Sequence, residues 1–421
     1  MQIRKLSDVT INRIAAGEVV ERPASVVKEL VENSIDAGAS EINITLERAG
    51  KNLIIISDNG TGMSKDELVL AVQRHTTSKL DEDDIMNIAS FGFRGEALPS
   101  IAAAGRMIIT SRQQGAEQSF QISADDNGSF NIREDNIPQG TKIEIRDLFY
   151  STPARLKFLK TDNTELQACL DVIRKLAIAY SYISFNVISD GKFIAKYHVK
   201  SQDDAEQQKL RIAEIIKSEF IQNATAVNLQ REHIRITGYT SLPTYNRAAA
   251  NEQYLFINNR PVRDKLLLVA VRVAYQDFLA KGRHPVLVLF IDIDPTMVDV
   301  NVHPTKMEVR FHDSNMMRSA MISALKDSIA LGGKMSSTTI ASAAINTFKT
   351  ADDFKAAAIN TKNFSETKTP NYIAPAAAAQ TTYQQNNLRS FSQVSPVIKN
   401  IATSEPVFEK VEAESDMSYP L

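Results

Sequence analysis

The stretch Glu21-Arg22-Pro23-Ala24-Ser25-Val26-Val27-Lys28-Glu29-Leu30-Val31-Glu32-Asn33-Ser34-Ile35-Asp36 decides how this chain is read. At about 100° per residue, Val26, Val27, Leu30, Val31 and Ile35 fill one half of a helical wheel, the pattern of a helix with one face in a core. Pro23 suits a first turn, where its missing N–H has no partner to lose, so the spacing predicts a helix over Glu21 to Asp36. On the other side Glu29, Asn33 and Asp36 fall within roughly 60° of one another. Glu29 and Asn33, four residues apart, project side by side. A carboxylate beside a carboxamide suits a hard cation and a water. The amide oxygen can ligate Mg²⁺ while the carboxylate accepts a proton from the water. Taken alone, the same residues also describe the solvated side of an ordinary amphipathic helix.

Downstream, Glu41 to Leu46 alternates as a strand, and Leu53 to Ser57 reads as a buried apolar strand. That strand runs into Asp58-Asn59-Gly60-Thr61-Gly62. A carboxylate at a strand end can accept from an exocyclic amine such as that of adenine. The two glycines permit positive φ and close approach of a flat ring. A plain β-turn is the competing reading of Asp-Asn-Gly. Asp66 to His75 is expected to be a helix, and Thr76-Thr77-Ser78-Lys79 then supplies three hydroxyls and an ammonium. In Phe91-Gly92-Phe93-Arg94-Gly95-Glu96-Ala97-Leu98 two glycines free the backbone, and a helix is expected to start near Gly95. Its N-terminal N–H groups, with Arg94 and Lys79, suit a triphosphate, although a mobile surface loop has the same composition. A Walker-type G-x-x-x-x-G-K-[ST] loop is not found, which disfavours a P-loop enzyme. Thr141 to Ile145 alternates as a strand directly after Pro138-Gln139-Gly140.

With 421 residues, 43% hydrophobic and 23% charged, the chain has an ordinary globular composition. Its length suggests two to three domains of about 150 residues. No apolar run approaches the roughly 20 residues of a membrane span, and the opening Met1-Gln2-Ile3-Arg4-Lys5 has no signal-peptide core, so a cytoplasmic protein is expected. One cysteine, Cys169, excludes an internal disulfide and a cysteine-rich zinc site. The divisions expected from composition are 1–200, 201–334 with strong strands such as Val286 to Ile293, and 335–421. The last part turns to Ala, Thr, Ser, Asn and Gln, including Ala376 to Ala379 and Gln380 to Asn387, and reads as a disordered linker or tail. Both ordered parts read as α+β.

In this order and at these separations the motifs resemble the GHKL ATPase superfamily of gyrase, chaperone, histidine kinase and MutL. Ile14 to Ser34 is similar to the MutL family signature at nearly every position, and Phe91 to Leu98 to its second signature. Asp147-Leu148-Phe149-Tyr150-Ser151-Thr152-Pro153-Ala154-Arg155, Phe256-Ile257-Asn258-Asn259-Arg260-Pro261-Val262 and Asp299-Val300-Asn301-Val302-His303-Pro304-Thr305-Lys306 continue the likeness over about residues 1–330. The resemblance implies a GHKL-type α/β sandwich ATPase domain, then an α+β domain resembling the ribosomal protein S-five fold with a right-handed crossover. By position it implies Glu29 as general base, Asn33 as Mg²⁺ ligand, and Asp58 reading the adenine amino group, with Gly60, Gly62, Met63 and Thr141 around the base. Thr77, Ser78, Lys79, Gly92, Phe93, Arg94, Gly95, Glu96, Ala97 and Leu98 would hold the phosphates of ATP, and Lys306 would reach the γ-phosphate. Two departures stand out. Asn259 occupies a position where the family usually has glycine. The family's C-terminal dimerisation region and its metal-binding endonuclease string of D-Q-H-A-x-x-E type are not recognisable, so no nuclease site is expected and a truncated or naturally short chain is inferred.

Arg260, Arg263, Lys265, Arg272, Lys281 and Arg283 face only Asp264 and Asp277 in their stretch, which suits sequence-independent contact with DNA phosphates as well as a solvated basic helix face. Arg260, Arg263, Lys265 and Arg272 are the candidate DNA contacts. The resemblance further implies homodimerisation on ATP binding, nucleoid association, a mismatch-recognition partner of MutS type and a downstream nuclease or helicase. Rival readings are a gyrase-like topoisomerase, for whose cleavage domain there is no room, and a nucleotide-responsive scaffold without turnover.

Overall fold

The decisive helix, α1, runs from Pro23 to Asp36 in the computed structural model, which describes residues 20–74, 76–78, 95–124, 130–299 and 308–332. It begins two residues later than expected, at the proline itself, because Arg22 ahead of it is extended. Val26, Val27, Leu30, Val31 and Ile35 are buried as the wheel requires. They pack on an eight-stranded sheet of order β5-β4-β3-β6-β2-β1-β7-β8. Its strands are β1 (Glu41–Glu47), β2 (Leu53–Asp58), β3 (Arg106–Arg112), β4 (Ser119–Ala124), β5 (Phe130–Asp135), β6 (Gly140–Arg146), β7 (Ser184–Ser189) and β8 (Lys192–Tyr197). Alternate residues Ile42, Ile44 and Leu46, Ile54 and Ile56, Ile143 and Ile145 turn to one core, shared with α1 and the long helix Asp162–Ala179. β2 was expected to be buried throughout, but Ile55 is half-buried. It pairs with Thr45 on one side and Glu144 on the other, so it stands on the sheet's outer face.

The helix expected over Asp66 to His75 is Lys65–Ala71, opened by a capping box between Ser64 and Glu67. It stops short because the Thr76 hydroxyl donates to Leu70 O in its last turn at 2.5 Å and to Gln73 O just beyond its end at 2.9 Å. A helix does follow Gly95, running Ala97–Ala104.

The later part of the chain builds a second sheet. Its strands are β9 (Ala224–Arg231), β10 (Ile234–Ser241), β11 (Gln253–Ile257), β12 (Arg260–Val262) and β13 (Leu287–Ile293), in the order β12-β11-β13-β10-β9. Parallel strands β11 and β13 are joined across the helix Lys265–Tyr275. That helix and helical residues 314–332 cover one face. Ile212, Ile216 and Phe220 and the last turn of Asp162–Ala179 cover the other, where Phe256 stacks on Phe290 at 4.8 Å. Coverage on both faces explains the nearly unbroken apolar run of β13. Among the described residues no helix is long and apolar enough to cross a membrane.

β11 and β12 are joined by Asn258-Asn259, both at positive φ, 47° and 62°. Asparagine tolerates this region better than other non-glycine residues, so the turn forms without the expected glycine. Asn258 adds a clamp: its Oδ1 accepts from Ile293 N–H at 3.0 Å and its Nδ2 donates to Ile293 O at 2.9 Å. Asn258→Gly should therefore cost about 1–2 kcal/mol, and Asn259→Gly less than about 0.5 kcal/mol. Urea denaturation of both variants checks this; equal losses would refute the clamp.

Candidate nucleotide site

The site is built around Asp58, the last residue of β2. Its Oδ2 accepts from the Ser34 hydroxyl of α1 at 2.8 Å, and its Oδ1 from Gly60 N–H at 3.0 Å. Across the ladder its register partner is Thr141 on β6. Burial pushes the Asp58 carboxyl above the usual carboxylate range, opposed by hydrogen bonds from Ser34, Gly60 and Thr141.

The loop after Asp58 is strapped from several sides. Asn59 Oδ1 accepts from both Ser40 N–H and Glu41 N–H at 2.9 Å. Thr61 N–H donates to Ala37 O at 3.0 Å, and Thr61 O accepts from Gln114 N–H at 2.7 Å. Of the two glycines, Gly62 takes positive φ, 65°, and a Cβ there would lie 2.0 Å from Arg112 O. Gly60 does not take positive φ; its role is close approach, since a Cβ would lie 2.7 Å from Ala37 O. Met63 N–H donates to Ser111 Oγ at 2.8 Å, and that oxygen is 2.9 Å from Thr141 Oγ1. Ser111 thus joins two of the expected adenine residues. Ser34, Asn59 and Ser111 were not singled out from sequence. Ser34 carried a signal, being polar at a position the wheel turns toward the core.

Glu29 and Asn33 lie on the half-buried flank of α1, and Asn33 immediately precedes the serine that holds Asp58. Glu29 Oε1 accepts from Lys28 Nζ at 3.1 Å. Thr77 and Ser78 are exposed. Gly95, at φ 61°, lies so close to Thr76 that a Cβ would come within 2.4 Å of its carbonyl oxygen, which places Glu96, Ala97 and Leu98 beside the Thr77–Ser78 segment. Lys79, Gly92, Phe93, Arg94 and Lys306 lie outside the described residues.

The four candidate DNA contacts divide. Arg263, Lys265 and Arg272 are exposed, at opposite ends of the helix Lys265–Tyr275, which is about 16 Å long. Arg260 is half-buried on β12, and its charge is felt by Glu32 of α1 and by Tyr180.

A family model described as histidine kinase-, DNA gyrase B- and HSP90-like ATPase matches residues 21–147, which contain Glu29, Asn33, Asp58 and Thr141. The first part of the chain is therefore an ATPase domain of that class. A second model, DNA mismatch repair protein, C-terminal domain, matches residues 212–330. The DNA mismatch repair protein MutL of Rickettsia bellii is 50% identical over 418 residues, 99% of this chain and 68% of that protein. The MutL of Rickettsia felis is 56% identical over 349 residues, 83% of this chain. The chain belongs to the MutL family of DNA mismatch repair proteins, and it spans 57% of the length of the Rickettsia felis relative. Among solved structures, the N-terminal domain of a DNA repair protein aligns with TM-score 0.64 and 26% identity over 76% of this chain and 98% of that one. The Aquifex aeolicus MutL ATPase domain complexed with ADP aligns with TM-score 0.51 and 25% identity over 72% and 98%.

The burial of Asp58 has a pH signature. Its folded pKa lies above its unfolded one, so as pH rises between them the unfolded state gives up its proton first. It then holds fewer protons than the folded state, and stability falls with rising pH. Asp58→Asn removes the titration, so the wild type should lose stability relative to this variant between about pH 4 and about pH 7. Denaturant titrations at the two pH values test it; a difference independent of pH would contradict the account.

Proposed function

We propose that this chain binds ATP with Mg²⁺ and hydrolyses it slowly as the ATPase part of a mismatch repair protein. The observation that carries the reading is the 2.8 Å bond between Ser34 and Asp58, which makes the adenine-reading carboxylate and the Glu29/Asn33 helix one unit. Asp58 accepts from the adenine amino group, with Gly60, Gly62, Met63 and Thr141 around the ring. Glu29 accepts a proton from the attacking water. Thr77, Ser78, Lys79 and the backbone of Gly92 to Leu98 hold the phosphates, and Lys306 meets the γ-phosphate. The carboxamide of Asn33, beside Glu29 on a partly solvated flank, is a donor suited to a hard cation, so Asn33 would hold Mg²⁺. Bound there, Mg²⁺ supplies charge neutralisation to the phosphates.

The ATPase domain is assigned to 1–200, a second α+β domain to 201–334 and a linker or tail to 335–421. Support comes from the sheets: β8 ends at Tyr197 and the next helix opens at Asp204. Nucleotide binding brings two copies together through their N-terminal parts. Arg263, Lys265 and Arg272 contact DNA phosphates without reading sequence, with Arg260 at the margin of that surface. In the cytoplasm, at the nucleoid, the protein receives a signal from a mismatch-recognition protein of MutS type and passes it to a nuclease or helicase. No endonuclease chemistry is assigned to these residues.

Glu29→Ala should lower ATP turnover by about 10²–10⁴-fold while nucleotide binding persists. Phosphate release and fluorescent-nucleotide titration measure the two. Hydrolysis at the parental rate would remove Glu29 from its role, and no release by the parent above a blank would make the protein a scaffold.

A further inference from the structure

Lys28 immediately precedes the base assigned above, and that assignment gives it no task. Its ammonium lies 3.1 Å from Glu29 Oε1 and 3.2 Å from Glu32 Oε2. Neighbours in a helix point about 100° apart and do not ordinarily face each other, so the lysine must fold back to reach Glu29. Glu32, one turn on, holds it there. The side chains are 25% exposed at Lys28, 30% at Glu29 and 6% at Glu32.

These exposures set the hierarchy. An exposed pair of this spacing contributes a few tenths of a kcal/mol and would not hold a lysine still. A carboxylate as buried as Glu32 cannot release its cation without leaving a charge uncompensated, so the Lys28–Glu32 contact is the firm one. With Oε1 of Glu29 engaged, Oε2 takes part in no hydrogen bond among the described residues.

We propose that Lys28 is a positioning residue for Glu29: buried Glu32 fixes the ammonium, the ammonium fixes Oε1, and Oε2 is thereby the oxygen offered to the attacking water. The inference rests on the reading of Glu29 as the base. A further fact agrees with it. Burial pulls the Lys28 ammonium down, but Glu32 and Glu29 together outweigh this and leave it above its ordinary value, so it stays charged at neutral pH.

The test is steady-state ATP hydrolysis by the full 421-residue chain, with kcat and KM determined separately for Lys28→Met, Lys28→Arg, Glu32→Gln and Glu29→Gln. Loss of position without loss of binding predicts that Lys28→Met lowers kcat by about 10-fold or more with KM for ATP within about twofold. Lys28→Arg, which can still pair with both carboxylates, should stay within about threefold of the parent. Glu32→Gln should lower kcat less than Lys28→Met, again without moving KM, and it decides the matter if Lys28→Met fails to fold. Parental kcat in both Lys28→Met and Glu32→Gln overturns the proposal, as does a change confined to KM, or a loss in Lys28→Arg as large as in Lys28→Met. Glu29→Gln separates the two readings. If it hydrolyses at the parental rate, the base itself is misassigned; if it is inactive while Lys28→Met turns over normally, only the positioning role fails.

Discussion

Asp58 carries a carboxylate into a place where water no longer solvates it well, and the surrounding structure follows from meeting that need. A buried charged group costs several kcal/mol unless donors replace its water shell. Three elements supply them: Ser34 from α1, Gly60 from the loop beyond β2, and Thr141 from β6. Each donor fixes the position of its own element relative to the strand end. The helix cannot slide along the sheet without withdrawing the Ser34 hydroxyl, nor can β6 slip in register without removing Thr141 from opposite Asp58. Packing alone would accept several positions of a Val- and Leu-faced helix on an Ile-faced sheet. The polar contact selects one of them, and Glu29 and Asn33 are placed as a consequence.

The second sheet is tied to the first by a shared helix rather than by a surface contact. Ile173 and Leu176 of Asp162–Ala179 belong to the core beneath the first sheet, while Ile178 and Ala179 belong to the core beneath the second. At that helix's end Arg211 is buried, donating to Ala177 O and Ile183 O at 2.9 Å and to Tyr197 O at 3.2 Å. Burial pulls its guanidinium down to about 10, with Glu214 opposing from 3.9 Å. Carbonyl acceptors are a meagre environment for a full charge, and Arg211 Nε is left without a hydrogen bond. A hydrophobic residue would pack there more cheaply but would not bind three chain segments in one geometry.

Much of this was legible in the sequence because it depends on periodicity. The apolar half of α1, the alternation in β1, the aspartate ending β2 and the helix after Gly95 all follow from spacing along a single element. What escaped depends on the neighbour. Ile55 reads as core in a run of isoleucines, yet the outer face it meets carries Thr45 and Glu144. The helix from Lys65 stops at Ala71 because of a threonine hydroxyl five residues on, which no wheel shows. Gly60 and Gly62 look alike in sequence, but one is required by a carbonyl 2.7 Å from its absent Cβ and the other by its φ as well. Arg260 belongs by composition to a basic stretch, yet it is half-buried on β12. Lys28 and Glu32 lie outside the apolar half of the wheel, and only the burial of Glu32 makes their contact matter.

The desolvation that organises the fold also bears on selectivity, once the proposed adenine site is granted. A carboxylate in bulk water discriminates poorly between a ring bearing an amino group and one bearing a carbonyl, because water can intervene with either. At Asp58 the fixed donors leave little room for such compensation. A further N–H completes the shell of a carboxylate that burial has made expensive, whereas a carbonyl oxygen in the same place faces a negative oxygen with no proton between them. Sites whose buried polar groups are left unpaired by the wrong ligand reject it by about 10⁴-fold or more, far beyond what shape alone achieves. The cost carried by Asp58 without ligand and its choice between bases therefore have one origin, and the Ser34 hydroxyl of α1 bears on both.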